Sequence, residues 1–80
     1  MDGVLATVIQ VTARYVGAED GAIDPDANLA ELGVDSLGVV GLLGDIESAF
    51  NLRMPDELLT AETFGSPRSL AQAIGGILER

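Results

Sequence analysis

The chain has 80 residues and a formal net charge of −9, from thirteen acidic residues against four arginines and no lysine. This length gives one domain and no second core, so we expect a single unit over residues 1–80. The lack of clustered positive charge argues against nucleic acid as a partner, and the acidity either favours a basic protein surface or serves solubility alone. Histidine and cysteine are absent, which leaves no ordinary ligands for zinc, copper or an iron–sulfur cluster.

Targeting and membrane signals are also missing from the sequence. No apolar run reaches the roughly 18 residues that a membrane helix needs, and no basic segment followed by a short apolar core opens the chain. We therefore expect a cytoplasmic protein without a membrane segment. The start at Met1 without linker sequence is consistent with a freestanding protein, although a domain excised from a larger one would look the same.

Apolar residues recur with the period of a helix near the start of the chain. Val4, Val8, Val11 and Tyr15 have the spacing i, i+4, i+7 and i+11, which predicts one core-facing stripe. Gly17 is a typical residue to end such a helix.

A long connection follows from Ala18 to Val34. We expect its apolar residues Leu29, Leu32 and Val34 to anchor it on the core. Its segment 24–28, "DPDAN", begins like a calcium loop but lacks glycine at the sixth position and glutamate at the twelfth. A proline-initiated turn is the better interpretation.

Asp35 precedes a second predicted helix that runs to about Phe50, and its side chain is suited to cap that helix. Five apolar residues fall on one core-facing arc of this helix: Val39, Leu42, Leu43, Ile46 and Phe50. The helix also contains Gly38, Gly41 and Gly44, each of which costs about 1 kcal/mol relative to alanine in a helix interior. Stability alone does not explain these glycines.

Two further signals define the rest of the chain. Segment 59–64 predicts one short helical turn, capped by Thr60 and anchored by Phe64. Ser66 as cap and Pro67 at the first helical position predict the start of a last helix. Its inner stripe is Leu70, Ala71, Ile74, Ile77 and Leu78. The sequence therefore predicts an all-α fold, a small bundle of three main helices plus one short helix, with a long first loop.

Ser36 is the one residue whose position suggests chemistry. It follows Asp35, so it lies beside unpaired backbone N–H groups and the positive end of the helix dipole. A phosphate attached there would be stabilised, although Ser36 is also a good first-turn residue without any function. The chain has no histidine or lysine to activate a serine, and its single tyrosine belongs to the predicted core stripe. We therefore expect no catalytic residue, no metal site and no enzyme activity.

Several short motifs occur in register around Ser36. They are Leu32-Gly33, the tripeptide Asp35-Ser36-Leu37, the pair Glu47 and Phe50, and Met54-Pro55-Asp56. Together with the helix order, these motifs resemble the acyl and peptidyl carrier proteins over essentially the whole chain. In that family the serine carries 4′-phosphopantetheine, transferred from coenzyme A by a separate magnesium-dependent phosphopantetheinyl transferase. The resemblance implies that Ser36, between Asp35 and Leu37, is that serine, and that the thiol of the arm holds an acyl or aminoacyl group as a thioester.

The resemblance also implies the partners of the chain. Besides the transferase, they are a loading enzyme, either an adenylating ligase or an acyltransferase, and synthase or transferase domains; we expect a monomer. The long segment 55–70 looks more like discrete carriers of polyketide or nonribosomal peptide pathways than like fatty-acid carriers. Val34 mildly favours acyl over peptidyl carriers. The alternatives are a peptidyl or aminoacyl carrier of nonribosomal peptide assembly, and an acidic helical adaptor that is never modified.

The glycines of the second helix depart from the fatty-acid carriers, which usually have acidic residues at two of these positions and a bulky apolar residue at the third. The docking role of those residues therefore does not carry over. On the helical wheel, four residues face away from the core beside Ser36, and we expect them to dock partner enzymes: Leu37, Val40, Gly41 and Gly44. On this hypothesis Gly41→Ala raises stability by up to about 1 kcal/mol. Four acidic residues are expected to steer basic partners: Asp45, Glu47, Asp56 and Glu57.

Overall fold

The computed structural model describes residues 2–17 and 23–79, so part of the predicted long connection, at 18–22, lies outside the described residues. The structure has three α-helices: α1 over Asp2–Val16, α2 over Ser36–Phe50 and α3 over Pro67–Leu78. One 3-10 turn covers Asp56–Leu58. The described residues contain no strand, and the predicted all-α fold is confirmed. None of the helices in the described part of the chain is both long and apolar enough to span a membrane.

The core forms where the apolar stripes of the three helices meet, with α1 packed against both α2 and α3. Each helix contributes side chains that are completely buried: Val8 of α1, Leu42 and Ile46 of α2, and Leu70 and Ile74 of α3. All five belong to the stripes that the periodicity predicts. Burying one such side chain contributes about 1.5–3 kcal/mol, which makes this cluster the main source of stability in so small a chain.

The helices begin and end at the local signals that the sequence predicts. α1 stops before Gly17, whose φ of 77° is a left-handed conformation that suits glycine. Ser66 caps α3 by accepting a hydrogen bond from the Ser69 N–H at 3.2 Å, and Pro67 takes the first helical position. The Ser69 hydroxyl accepts from the Ser66 N–H at 3.0 Å, so the two serines cap the helix reciprocally.

The connection before α2 is held on the core and on the start of α3. Leu29 and Val34 are buried, as predicted, and Leu32 is half-buried against the same cluster. The Leu29 N–H donates to the Gly65 carbonyl at 3.0 Å, and the Arg68 N–H donates to the Pro25 carbonyl at 2.9 Å. The connection therefore has a fixed path into α2 over the residues described.

The predicted turn at "DPDAN" is confirmed. The Ala27 N–H donates to the Asp24 carbonyl at 3.0 Å, and the Asp26 N–H donates to Asp24 Oδ1 at 2.9 Å. Asp26 in turn accepts from Arg68 Nε at 2.7 Å, and this hydrogen bond and the charge of Asp26 raise the pKa of the Arg68 guanidinium. Among the described residues, no group of three acidic, histidine or cysteine side chains is arranged to hold a metal ion.

Two positional predictions are wrong. Tyr15 does not lie in the core but at its edge, with 38% of its side chain exposed. Leu78, predicted on the inner stripe of α3, is 50% exposed.

The 3-10 turn Asp56–Leu58 is an additional short element; it follows Pro55, whose ring fixes φ at a value close to that of a helix. The turn predicted over segment 59–64 is confirmed: the Phe64 N–H donates to the Thr60 carbonyl at 3.2 Å, and Thr60 Oγ1 accepts from the Thr63 N–H at 3.2 Å. Its predicted anchor Phe64 is buried.

Thr12 gives a prediction about stability. It lies fully buried on α1, and within the described residues its hydroxyl has no hydrogen-bond partner. A buried hydroxyl without a partner costs about 1–3 kcal/mol. We expect Thr12→Val, which replaces the hydroxyl by a methyl group, to raise the free energy of unfolding in urea by about 1 kcal/mol.

Thr7→Val on the same helix is the matched control. The Thr7 hydroxyl is not fully buried and donates to the Gly3 carbonyl at 2.9 Å, so we expect a change within about 0.5 kcal/mol. A lower unfolding free energy for Thr12→Val than for the wild type would show that the buried hydroxyl has a partner in solution, such as an internal water.

Candidate functional site

The N-terminal end of α2 holds the residues that the sequence singles out. Asp35 precedes the helix in an extended conformation, and its Oδ1 accepts a hydrogen bond from the Gly38 N–H at 2.8 Å. Its carbonyl accepts the first helical hydrogen bond, from the Val39 N–H at 2.9 Å. Asp35 is therefore the N-cap of α2, as predicted, and Ser36 is the first helical residue.

The first turn of α2 is suited to hold an anion next to Ser36. The first backbone N–H groups of any helix have no acceptor within the helix, and here the Asp35 carboxylate accepts from that of Gly38. The backbone N–H groups of Ser36 and Leu37 are donors at the same end of the helix. A phosphate on Ser36 would be stabilised by these donors and by the helix dipole.

Three residues of the predicted docking face lie together on the outside of α2. Leu37 and Val40 are apolar, yet they are 83% and 67% exposed. Gly44 is exposed as well, and no described neighbouring atom lies within 4 Å of the place where its Cβ would be. This face can approach another protein closely, because nothing in the described residues covers it.

An open groove of about 730 Å³ borders the same end of α2. Its walls include Val39, Val40 and Leu43 of α2 on one side and Leu59 and Phe64 on the other. It also reaches Asp35, which places it beside the start of the helix. The groove is lined mainly by apolar atoms and was not evident in the sequence, because its two walls lie far apart in the chain.

Gly38 and Gly41 differ from Gly44, because Tyr15 of α1 lies across them. A Cβ atom at Gly41 would lie 3.0 Å from the Tyr15 hydroxyl oxygen and 3.0 Å from its Cε2. A Cβ atom at Gly38 would lie 3.2 Å from the same hydroxyl. Both distances are shorter than ordinary van der Waals contact, so these two glycines make room for the tyrosine ring. Displacing the ring therefore reduces the gain of up to about 1 kcal/mol that the sequence predicts for Gly41→Ala.

Glu47 is part of the fold at the other end of α2. Its Oε2 accepts a hydrogen bond from the Met54 N–H at 2.8 Å, and its carbonyl accepts from the Leu52 N–H at 3.1 Å. Glu47 thereby joins α2 to the Met54-Pro55-Asp56 motif that follows it. Its half-buried carboxylate is engaged within the chain, which gives Glu47 a structural role, while its steering of partners stays a prediction.

The other three acidic residues of the predicted steering set are exposed. Asp45 lies on α2, whereas Asp56 and Glu57 lie in the 3-10 turn that comes after the C-terminal end of α2. They are therefore spread over two elements, and their steering role stays a prediction.

Comparison with known families decides what kind of site this is. Residues 6–74 match the family model described as the phosphopantetheine attachment site, which covers most of the chain and includes Ser36 with its capping residue. The chain belongs to this family of carrier proteins. The resemblance noted in the sequence is confirmed, and with it the family's 4′-phosphopantetheine cofactor and its carrier role. The carrier family is not catalytic in itself.

Curated relatives include acyl carrier proteins and non-reducing polyketide synthases. The acyl carrier protein of Syntrophobacter fumaroxidans is 39% identical over 51 residues, which are 62% of this carrier and 63% of the relative. That of Rubrobacter xylanophilus is 34% identical over 55 residues, 68% of each chain. A non-reducing polyketide synthase of Stereocaulon alpinum is 38% identical over 64 residues, which are 80% of this carrier but 3% of the synthase.

Two solved structures have the same fold. One is the Bradyrhizobium japonicum glycine:[carrier protein] ligase complexed with glycylated carrier protein; a chain in it matches with a TM-score of 0.70 and 26% identity, covering 88% of this carrier and 97% of that chain. The other is the complex of the same ligase with its cognate carrier protein and an analogue of glycyl adenylate. It matches with a TM-score of 0.69 and 23% identity, covering 91% of this carrier and 92% of that chain.

The contact between Tyr15 and Gly41 predicts an energetic coupling between α1 and α2. Gly→Ala in a helix stabilises by about 1 kcal/mol, but at Gly41 the new methyl group displaces the Tyr15 ring. We therefore expect less than half of that gain in the wild-type background and the full gain after Tyr15→Ala. Urea unfolding of the four proteins measures the coupling, expected at about 0.5 kcal/mol or more.

Gly44→Ala is the control, since a Cβ at Gly44 meets no described neighbour within 4 Å. It should stabilise by about 1 kcal/mol with either residue at position 15. If Gly41→Ala had the same effect in both backgrounds, the packing of Tyr15 on Gly41 would be contradicted.

Proposed function

We propose that this chain carries 4′-phosphopantetheine on Ser36 and that the thiol of the arm holds acyl intermediates as thioesters. The observation that carries the proposal is the place of Ser36, which opens a helix capped by Asp35 within a D-S-L tripeptide inside the family match. We treat residues 1–80 as one carrier unit that acts as a monomer and has no enzyme activity of its own.

Attachment is a group transfer from coenzyme A. The Ser36 hydroxyl oxygen forms a bond to the phosphorus that bears the pantetheine group. The bond from that phosphorus to the bridging diphosphate oxygen breaks, and adenosine 3′,5′-bisphosphate leaves. The hydroxyl proton passes to a base that the separate phosphopantetheinyl transferase supplies. The metal ion that assists this transfer is magnesium bound by the transferase.

The residues of this chain present the serine and stabilise the product. Asp35 fixes the start of α2 by accepting from the Gly38 N–H, so Ser36 is held in the first turn. The phosphodiester formed there is an anion at a helix N-terminus, an arrangement that contributes about 0.3–1 kcal/mol. Leu37 is the next residue of the helix and is exposed.

The relatives support an acyl cargo. Two acyl carrier proteins and a polyketide synthase are 34–39% identical to this chain over the aligned residues. We infer that an acyltransferase or an adenylating ligase loads the cargo and that synthase or transferase domains use it. We place the carrier in a specialised pathway of the polyketide or nonribosomal peptide type. An aminoacyl cargo is the second candidate, because a ligase complex with a glycylated carrier protein contains a chain of the same fold at 26% identity.

Partner enzymes would dock on the exposed face of α2 next to Ser36. Leu37, Val40 and Gly44 form this face, and Gly41 contributes to it under the edge of the Tyr15 ring. When an enzyme covers apolar side chains of this size, their apolar surface is removed from water, which stabilises the complex.

Intact-mass measurement tests the attachment. After incubation with coenzyme A and a broad-specificity phosphopantetheinyl transferase, the wild type should gain one phosphopantetheine and Ser36→Ala none. The hydroxyls of Ser66 and Ser69 are engaged in the cap of α3, and Ser48 lacks the D-S-L setting, so Ser48→Ala should be modified like the wild type.

Either of two results would contradict this assignment. Modification of Ser36→Ala would move the arm to another residue. A wild type that stays unmodified with several transferases would favour the alternative of an acidic helical adaptor.

Salt dependence tests the steering role of the exposed carboxylates. The Debye length falls from about 30 Å at 0.01 M to about 8 Å at 0.15 M ionic strength, so the association rate with a basic transferase should fall several-fold across this range. Asp45→Asn with Asp56→Asn should weaken that dependence, while Glu79→Gln, beyond the end of α3, should not. A rate that is independent of ionic strength, with the helical circular dichroism unchanged, would leave the acidity as a solubility feature.

A further inference from the structure

Tyr15 brings a phenol from α1 to the first turn of α2. Its ring lies over Gly38 and Gly41, and 38% of the side chain is exposed. A Cβ at Gly38 would lie 3.2 Å from the Tyr15 hydroxyl oxygen and 3.3 Å from Asp35 Oδ1. The hydroxyl and the capping carboxylate therefore border the same point, in the turn that Ser36 opens.

Tyr15 is one of the exposed residues of α1, and its hydroxyl keeps its hydrogen-bonding capacity. Among the described residues it makes no hydrogen bond, although the ring beneath it is packed on two glycines. Tyrosine combines an apolar body with a hydrogen-bonding tip, which is why it is enriched where proteins bind one another. A ring already held by packing also loses little conformational freedom when a partner binds.

We propose that the Tyr15 hydroxyl is a recognition group for the phosphopantetheinyl transferase and forms a hydrogen bond with that enzyme while Ser36 is modified. This inference rests on the proposed attachment at Ser36. The transferase is the partner concerned because it catalyses the bond between the Ser36 oxygen and the phosphorus of coenzyme A, so its active site has to cover the first turn of α2. Enzymes that load or use the cargo react at the thiol, at the far end of the arm.

The surface beside Ser36 is accordingly built from two helices. Leu37 and Val40 of α2 provide its exposed apolar part, and Tyr15 of α1 provides a polar group where α2 itself has only glycine. With bulkier residues at Gly38 and Gly41, the phenol would be displaced from this turn and the transferase would meet side chains of α2 instead.

Tyr15→Phe is the decisive variant, because it removes the hydroxyl and keeps the ring on the glycines. With coenzyme A and a broad-specificity phosphopantetheinyl transferase, we expect the KM for the carrier to rise about 3- to 10-fold while kcat stays unchanged, as for one lost neutral hydrogen bond. The melting temperature should not fall. Gln10→Ala, another exposed uncharged position on α1, is the matched control and should keep the wild-type KM.

Each outcome decides between the interpretations. A wild-type KM for Tyr15→Phe, or an equal rise for Gln10→Ala, would overturn the role of the hydroxyl. Tyr15→Ala should raise KM at least as far as Tyr15→Phe, and a wild-type KM for it would also overturn the proposal; should it unfold, Tyr15→Phe alone decides. Failure of the wild type to be modified at all would instead overturn the attachment at Ser36.

Discussion

The hydrogen bond from the Gly38 N–H to the Asp35 carboxylate sets where α2 begins, and the rest of the site depends on it. It makes Ser36 the first helical residue and gives the serine the environment of a helix N-terminus. The cap is in turn held by packing, because Val34 immediately before it is 3% exposed and Leu29 is 1% exposed in the core. Burial of two apolar loop residues therefore positions a polar cap, and the cap positions the serine.

Gly38 is part of two arrangements at once. Its N–H completes the cap, and its missing side chain leaves room for Tyr15, as does that of Gly41 one turn later. Each glycine costs about 1 kcal/mol of helix propensity, and the packing of the aromatic ring between α1 and α2 offsets part of that cost. Gly44 has no such neighbour among the described residues, so packing of an aromatic ring does not explain the glycine at this position.

Local signals in the sequence were sufficient for the helices but not for the contacts between them. Asp35, Ser66 and Gly17 act on backbone groups only a few residues away, so their roles follow from position alone. Tyr15 continues a helical stripe, but periodicity does not distinguish the middle of a core from its edge. The 3-10 turn Asp56–Leu58 is too short to have a period. The apolar groove and the tyrosine contact join segments that only the folded chain brings together.

Glu47 shows that an acidic residue counted in the net charge can also hold the fold together. In the sequence it is one acidic residue among thirteen, but in the structure its carboxylate holds the Met54 N–H at 2.8 Å and is half-buried. Asp35 likewise binds a backbone N–H, so two carboxylates near the two ends of α2 stabilise the fold. A hydrogen bond from a backbone N–H does not remove the charge of a carboxylate, so Asp35 and Glu47 contribute to the field around α2 together with the exposed Asp45 and the 3-10 turn. Acidic residues near α2 therefore stabilise the fold and contribute to the field that a partner meets, and one residue can do both.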